Sequence, residues 1–269
     1  MGRVLAVANQ KGGVAKTTTV HSLGSALAEL GQRVLLVDLD PQACLTFSAG
    51  LDPEKLPASL HDVLVRRTAI TDVIESIRHN LDIAPATIDL AGSEVILLTR
   101  TGREHVLARA LASVRDDYDT ILIDCPPSLG VLTINGLSAA DSVLIPLQCE
   151  ALSHRGVGQL LETVADVRAF ANDRLEVLGV IATMFDGRTR HGREILTSVG
   201  EHYSLRVIEP PVPKSVRFAE SAGQGQSILS HSPSSPGADA YRAIAAQLDA
   251  EIRPGVARPT LEESSAAAP

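Results

Sequence analysis

The sequence has no tryptophan, and its 3 tyrosines and 4 phenylalanines hold aromatics to 3% of 269 residues. A chain that is 45% hydrophobic must then fill its core with Ala, Val, Leu and Ile, as a parallel sheet covered by helices on both faces does. Cysteine is scarce as well. Cys44, Cys125 and Cys149 are far apart and form no CxxC pair, which points to a reducing compartment and away from a disulfide framework or a zinc site. The 8 histidines show no HExxH spacing. No segment approaches the roughly 18 apolar residues that span a bilayer, and the first residues lack a signal-peptide cleavage site. The chain reads as soluble and cytoplasmic. Basic residues are in the minority, 24 against 32 acidic ones, for a net charge of −8. Any attraction to nucleic acid must therefore come from a local basic patch.

What is present is alternation. Short apolar runs at Arg3–Ala8, Arg33–Asp38, Leu81–Ala84, Thr120–Asp124, Ser142–Leu147, Leu175–Thr183 and Arg206–Ile208 predict strands. Helical patterns lie between them, near 16–30, 59–66, 103–115, 131–139, 156–171 and 190–202, with a last helix over about 238–252. Near-continuous hydrophobic strands alternating with helices imply right-handed crossovers and a mostly parallel twisted sheet with helices on both faces. Ligands of such sheets bind beyond the carboxyl ends of the strands. Neither a repeat nor an interdomain linker interrupts the pattern, so one domain over 1–253 is expected. Residues 254–269 are small, polar and aperiodic, the composition of a disordered tail.

Between the first strand and the first helix stands Asn9-Gln10-Lys11-Gly12-Gly13-Val14-Ala15-Lys16-Thr17-Thr18. A glycine-containing loop in that position turns backbone N–H groups toward phosphate oxygens, and the helix dipole adds to the attraction. Lys16 is placed to reach the β- and γ-phosphates of a nucleotide and Thr17 to contribute a hydroxyl to Mg²⁺. Against the general pattern GxxxxGK[ST], Gln10 and Ala15 replace the two glycines.

The segment Lys11–Thr18 resembles the deviant Walker A motif, KGGxxK[ST][ST], of the ParA/MinD superfamily. Arg33–Gln42, with Asp38 and Asp40, resembles that family's switch I region, and Thr120–Pro127, with Asp124, its Walker B strand and switch II. The resemblance extends over about residues 3–250, through Pro85–Glu94, Glu150–Gly156, Thr183–Thr189 and Pro213–Glu220, and is greatest to the ParA/Soj partition ATPases. It implies a P-loop ATPase that binds ATP through Lys11, Gly12, Gly13, Val14, Ala15, Lys16, Thr17 and Thr18, with Pro213 and Ser215 against the adenine. Ser215 stands where the family has Asn, and so loses the paired amide geometry. The resemblance further implies Mg²⁺ held by Thr17, Asp38 and Asp124, an attacking water positioned by Asp40, and Lys11 crossing to the partner's nucleotide in an ATP-bound homodimer. It implies nonspecific binding of double-stranded DNA by that dimer through Arg188, Arg190 and Arg217, with Arg193 and Lys214 nearby, and a ParB-like partner that stimulates slow hydrolysis.

Other classes share the loop. A MinD-like ATPase needs a basic amphipathic carboxyl-terminal helix to dock on lipid, whereas Asp239, Asp249 and Glu251 lie in the last helix here, so no membrane partner is expected. An iron–sulfur reductase needs two suitably placed cysteines, and Cys125 directly follows Asp124. A metabolic ATP-dependent ligase such as dethiobiotin synthetase uses the same scaffold, and a relative that positions protein cargo rather than DNA is a further alternative. With a first strand at residue 3, no helix-turn-helix is expected ahead of it.

Overall fold

The computed structural model describes residues 2–150, 153–188 and 190–252; the expected tail at 254–269 lies outside them. In chain order the elements are β1 (Arg3–Val7), α1 (Lys16–Glu29), β2 (Val34–Asp38), α2 (Cys44–Ser48), β3 (Glu75–Arg78), β4 (Leu81–Ala84), α3 (Leu90–Leu98), α4 (Val106–Leu111) and β5 (Thr120–Asp124). There follow α5 (Val131–Ala139), β6 (Ser142–Gln148), α6 (Ser153–Phe170), β7 (Glu176–Thr183), α7 (Arg190–Tyr203), β8 (Val207–Ile208), α8 (Arg217–Gly223), α9 (Ile228–His231) and α10 (Pro236–Ile252). The strands form one 8-stranded sheet in the order β3-β4-β2-β5-β1-β6-β7-β8. Every pairing is parallel except β3 with β4.

The sheet explains why its central strands are apolar along most of their length. Alternate residues of a strand face opposite sides, and here both sides are core. Leu5, Val7, Leu36, Leu122 and Leu144 join one buried cluster, which holds α1 and α10 residues such as Leu27 and Tyr241. Val4, Ala6, Leu35, Val37, Ile121 and Ile123 join the other, with Leu107, Leu132 and Leu160 from α4, α5 and α6. Helix α1 lies so close to the sheet that a Cβ on Gly24 would stand 2.5 Å from Cδ2 of Leu36. Polar ties fasten α10 beside it: Thr19 and Tyr241 share a 3.0 Å hydroxyl hydrogen bond, and the Gln32 amide donates to Asp249 at 2.6 Å.

Some expected elements take other forms. The helical pattern at 59–66 becomes a single π turn over Asp62–Arg66. The pattern at 103–115 is a 3-10 turn, Arg103–His105, followed by the short α4. Five further elements, α2, β3, α3, α8 and α9, occur where no periodicity marks them. Strand β3 is an exposed, antiparallel edge of sequence Glu-Ser-Ile-Arg, without the hydrophobic run that betrays a central strand.

Candidate functional site: a phosphate loop and two strand-end carboxylates

Strands β2, β5 and β1 are neighbours, and their carboxyl ends bring switch segments and loop together. Asp38 and Asp124 are paired in register across β2 and β5, and both are buried. Their hydrogen bonding differs. Asp38 accepts from the Thr46 amide at 2.8 Å, the Thr46 hydroxyl at 2.7 Å and the Asp40 amide at 3.3 Å. Burial still raises its pKa to about 6, against the pull of those donors. Both carboxylate oxygens of Asp124 lack a hydrogen-bond partner. Burial and then the Asp38 carboxylate push its pKa well above the ordinary range, opposed by the Thr17 hydroxyl and the Lys16 ammonium. A buried carboxylate without donors is costly, and a cation is the compensation that a loop of this kind provides. The donor set of Asp124 with the neighbouring Thr17 hydroxyl is all hard oxygen, which suits Mg²⁺.

Lys16 opens α1 and is buried. Its ammonium reaches the Lys11 carbonyl at 3.4 Å. Burial lowers its pKa, and Asp124 is the first of the acidic groups that counter this. The loop owes its shape to two left-handed residues, Gly13 at φ 74° and Ala15 at φ 65°. At position 15 the replacement of glycine by alanine therefore bears on the backbone, not only on side-chain contact, because an L residue in that region is strained. The start of the loop is fixed by Asn9, a residue whose part the sequence pattern does not reveal. Its buried amide donates to the Pro146 carbonyl at 2.8 Å, and its oxygen accepts from the Lys11 amide at 3.0 Å. The end is tied to β7, whose Thr183 hydroxyl donates to the Val14 carbonyl at 2.9 Å.

Lys11 points out of the loop and pairs with Glu150 at 2.5 Å. Asp40 is half-buried in the turn before α2, and its side chain accepts from the Gln42 amide at 2.9 Å. Pro213 bridges to Phe185 just past β7. The Ser215 hydroxyl accepts from the Arg217 amide at 3.3 Å, at the start of α8. The sheet edge thus carries Pro213, Ser215 and Arg217 on one short segment beside the strand that holds the loop.

The three arginines expected to meet DNA are all exposed but not alike. Arg188 forms a two-point pair with Asp186, at 2.9 Å from each of two nitrogens. Arg190 pairs with Glu194 at 2.6 Å. Among the described residues Arg217 has no ion pair within the chain.

A parallel sheet whose first strand runs through a glycine–lysine loop into a helix, with an acidic strand end beside it, defines a P-loop nucleotide-binding protein. Comparison with known proteins narrows the class. The family profile described as "AAA domain" matches residues 2–177. The sporulation initiation inhibitor protein Soj of Bacillus subtilis is 44% identical over 251 residues, 93% of this chain and 99% of that protein. The chromosome partitioning protein ParA of Caulobacter vibrioides is 40% identical over 249 residues, 91% of this chain and 93% of that one. Among solved structures, one of Mycobacterium smegmatis described as cobyrinic acid a,c-diamide synthase with bound ADP and magnesium superposes with a TM-score of 0.85 at 51% identity, covering 97% of this chain and 99% of that one. The chain belongs to the Soj/ParA family of P-loop ATPases.

Proposed function

We propose that this protein is an ATP-dependent dimerising switch that binds double-stranded DNA without sequence preference and serves chromosome or plasmid segregation. The observation that carries the nucleotide part is Asp124, buried beside Lys16 and the Thr17 hydroxyl with neither of its oxygens in a well-formed hydrogen bond. The amides of Gly12–Thr18 and the Lys16 ammonium bind the ATP phosphates, while Thr17 and Asp124 hold Mg²⁺. Asp38 keeps the switch segment in place through Thr46. When bound, the metal neutralises charge on the transferred phosphoryl group. Asp40 orients the attacking water, and Lys11 reaches the nucleotide of a second protomer. Pro213 and Ser215 border the adenine. Nonspecific contact to DNA phosphates falls first to Arg217, with Arg188 and Arg190 as its neighbours. The names of the Soj and ParA relatives support the segregation role, and the same likeness supports slow intrinsic hydrolysis together with a stimulating partner resembling ParB. No described helix is long and apolar enough to cross a membrane.

The description of the Mycobacterium smegmatis structure supports a second reading, an ATP-dependent enzyme acting on a small molecule. One experiment separates the two: binding of double-stranded DNA with ATP, with ADP and without nucleotide, at low and moderate salt. Binding only with ATP that weakens steeply with salt fits the switch. ATP-driven dimerisation without DNA binding at either salt sinks the DNA role and favours the small-molecule reading.

A further inference from the structure

A second charged cleft lies away from the phosphate loop. It measures about 700 Å³ and opens between the turn after Asp62–Arg66, the turn at Arg100–Thr101 and the outer face of α4. Arg67, Arg100 and Arg109 come to it from three separate segments, over a floor that includes the buried Val63 and Ile70. No carboxylate lines it.

That last feature sets the cleft apart from its immediate surroundings. Nearby arginines are neutralised within the chain: Arg66 by Asp62 at 2.7 Å, Arg103 by Glu104 at 3.3 Å and Arg115 by Asp141 at 2.5 Å. The cleft arginines are fixed differently. Arg100 donates to the Leu64 carbonyl at 2.8 Å and also to the Val65 carbonyl. Arg109 donates to the Gly102 carbonyl at 3.0 Å. Neutral carbonyls orient a guanidinium without cancelling its charge, and each guanidinium keeps further N–H donors for an anion. Arg67 sits at the left-handed end of the π turn, φ 64°, so a strained backbone holds the third charge at the rim. In a chain of net charge −8, three arginines gathered without acid over an apolar floor make an anion receptor of small-molecule size.

We infer that this cleft binds a phosphorylated small molecule, one carrying at least two phosphate groups and an apolar part of nucleotide size, at a site distinct from the phosphate loop. The guanidiniums take the phosphates, and Val63, Ile70 and Val106 take the apolar part.

The test uses the full chain saturated with Mg-ADP, so that the loop is filled, titrated calorimetrically with inorganic triphosphate. The expected result is a second saturable event that Arg100→Gln combined with Arg109→Gln weakens by about tenfold or more, with ADP affinity unchanged. Because Arg100 also holds the π turn, Arg67→Asn provides an independent variant; it removes the rim charge, suits a left-handed backbone and should weaken the same event severalfold. Absence of a second event at millimolar triphosphate overturns the proposal. So does binding that sulfate at equal ionic strength abolishes, which marks a nonselective anion site. A loss of DNA affinity in these variants without loss of triphosphate binding would place the arginines on a nucleic-acid surface instead, and equally overturns it.

Discussion

Asp38 and Asp124 stand opposite one another on adjacent parallel strands, yet Asp38 accepts three well-formed hydrogen bonds while neither oxygen of Asp124 completes one, with only the Thr17 hydroxyl and the Lys16 ammonium beside it. The same residue type at the same depth therefore has opposite consequences for the empty protein. Asp38→Ala leaves the buried Thr46 amide unpaired and should destabilise by about 2 kcal/mol. Asp124→Asn removes a buried carboxylate whose charged form burial disfavours and should leave the nucleotide-free protein unchanged or more stable by about 1 kcal/mol. The same change should cost at least tenfold in Mg-ATP affinity. Urea unfolding without nucleotide, paired with nucleotide titration, reads both; equal destabilisation by the two variants would mean that Asp124 is a structural residue like its neighbour.

Ala15 tests the loop backbone in isolation. At φ 65° glycine fits without strain, so Ala15→Gly should not show the usual loss for that exchange and should gain up to about 1 kcal/mol. Ala15→Val, β-branched in a region that disfavours it, should cost about 2 kcal/mol. If Ala15→Gly destabilises while Ala15→Val is neutral, the residue is not left-handed in solution.

These two cases show what the sequence could and could not convey. Buried runs such as Val34–Asp38 and Thr120–Asp124 are legible because both faces of their sheet are core, so no polar residue breaks the pattern. The loop is legible because phosphate binding demands glycine and lysine at set spacing. The helix Leu90–Leu98, Leu-Ala-Gly-Ser-Glu-Val-Ile-Leu-Leu, is not, since Val95 and Leu98 are exposed and its hydrophobic positions trace no single face. Asn9 and Thr46 escape for another reason: each acts through hydrogen bonds to residues remote in sequence or in another element, which spacing does not record.

His21 gives a pH signature. It is buried on α1, and burial, aided by the Arg78 charge, lowers its pKa from 6.5 to about 4. A depressed folded-state value means that the unfolded chain takes up the proton first as pH falls. The stabilising contribution is present above about pH 6.5 and is lost toward pH 4, a change on the order of 3 kcal/mol at full development. Asp38, raised from 3.8 to about 6, acts oppositely over the same window, so the wild-type curve alone blends the two. The difference in unfolding free energy between wild type and His21→Gln isolates the histidine, and should grow with pH from 4 to 6.5. A difference independent of pH would show that His21 titrates normally in the folded protein.

Lys11 is held by Glu150, and this contact competes with the reach to a second protomer proposed above. Both side chains are well solvated, 33% and 52% exposed, so the pair is worth under about 1 kcal/mol. Glu150→Gln should therefore raise the ATP-dependent dimerisation constant, by at most about fivefold for each of the two pairs a dimer releases and about thirtyfold in all, as read by sedimentation. Lys11→Ala should keep ATP binding and abolish the dimer. Dimerisation of Lys11→Ala with ATP at wild-type strength would remove Lys11 from the interface.

The basic residues near α7 and α8 are separated by their partners. The Asp186 carboxylate, held at about 2 by Arg188, stays ionised at any working pH and sets a negative charge beside that arginine. Arg217 has no such counterion among the described residues, so Arg217→Glu should lose DNA binding by the ATP form while leaving ATP dimerisation intact. Asp186→Asn works in the other direction. Releasing Arg188 adds one phosphate contact per protomer, which should tighten DNA binding and steepen the slope of log affinity against log salt by about 0.9 per contact. Fluorescence anisotropy over a salt series measures both terms. An unchanged slope in Asp186→Asn would mean that Arg188 faces no phosphate, and its pair with Asp186 would then serve only to order the turn that leads into α7.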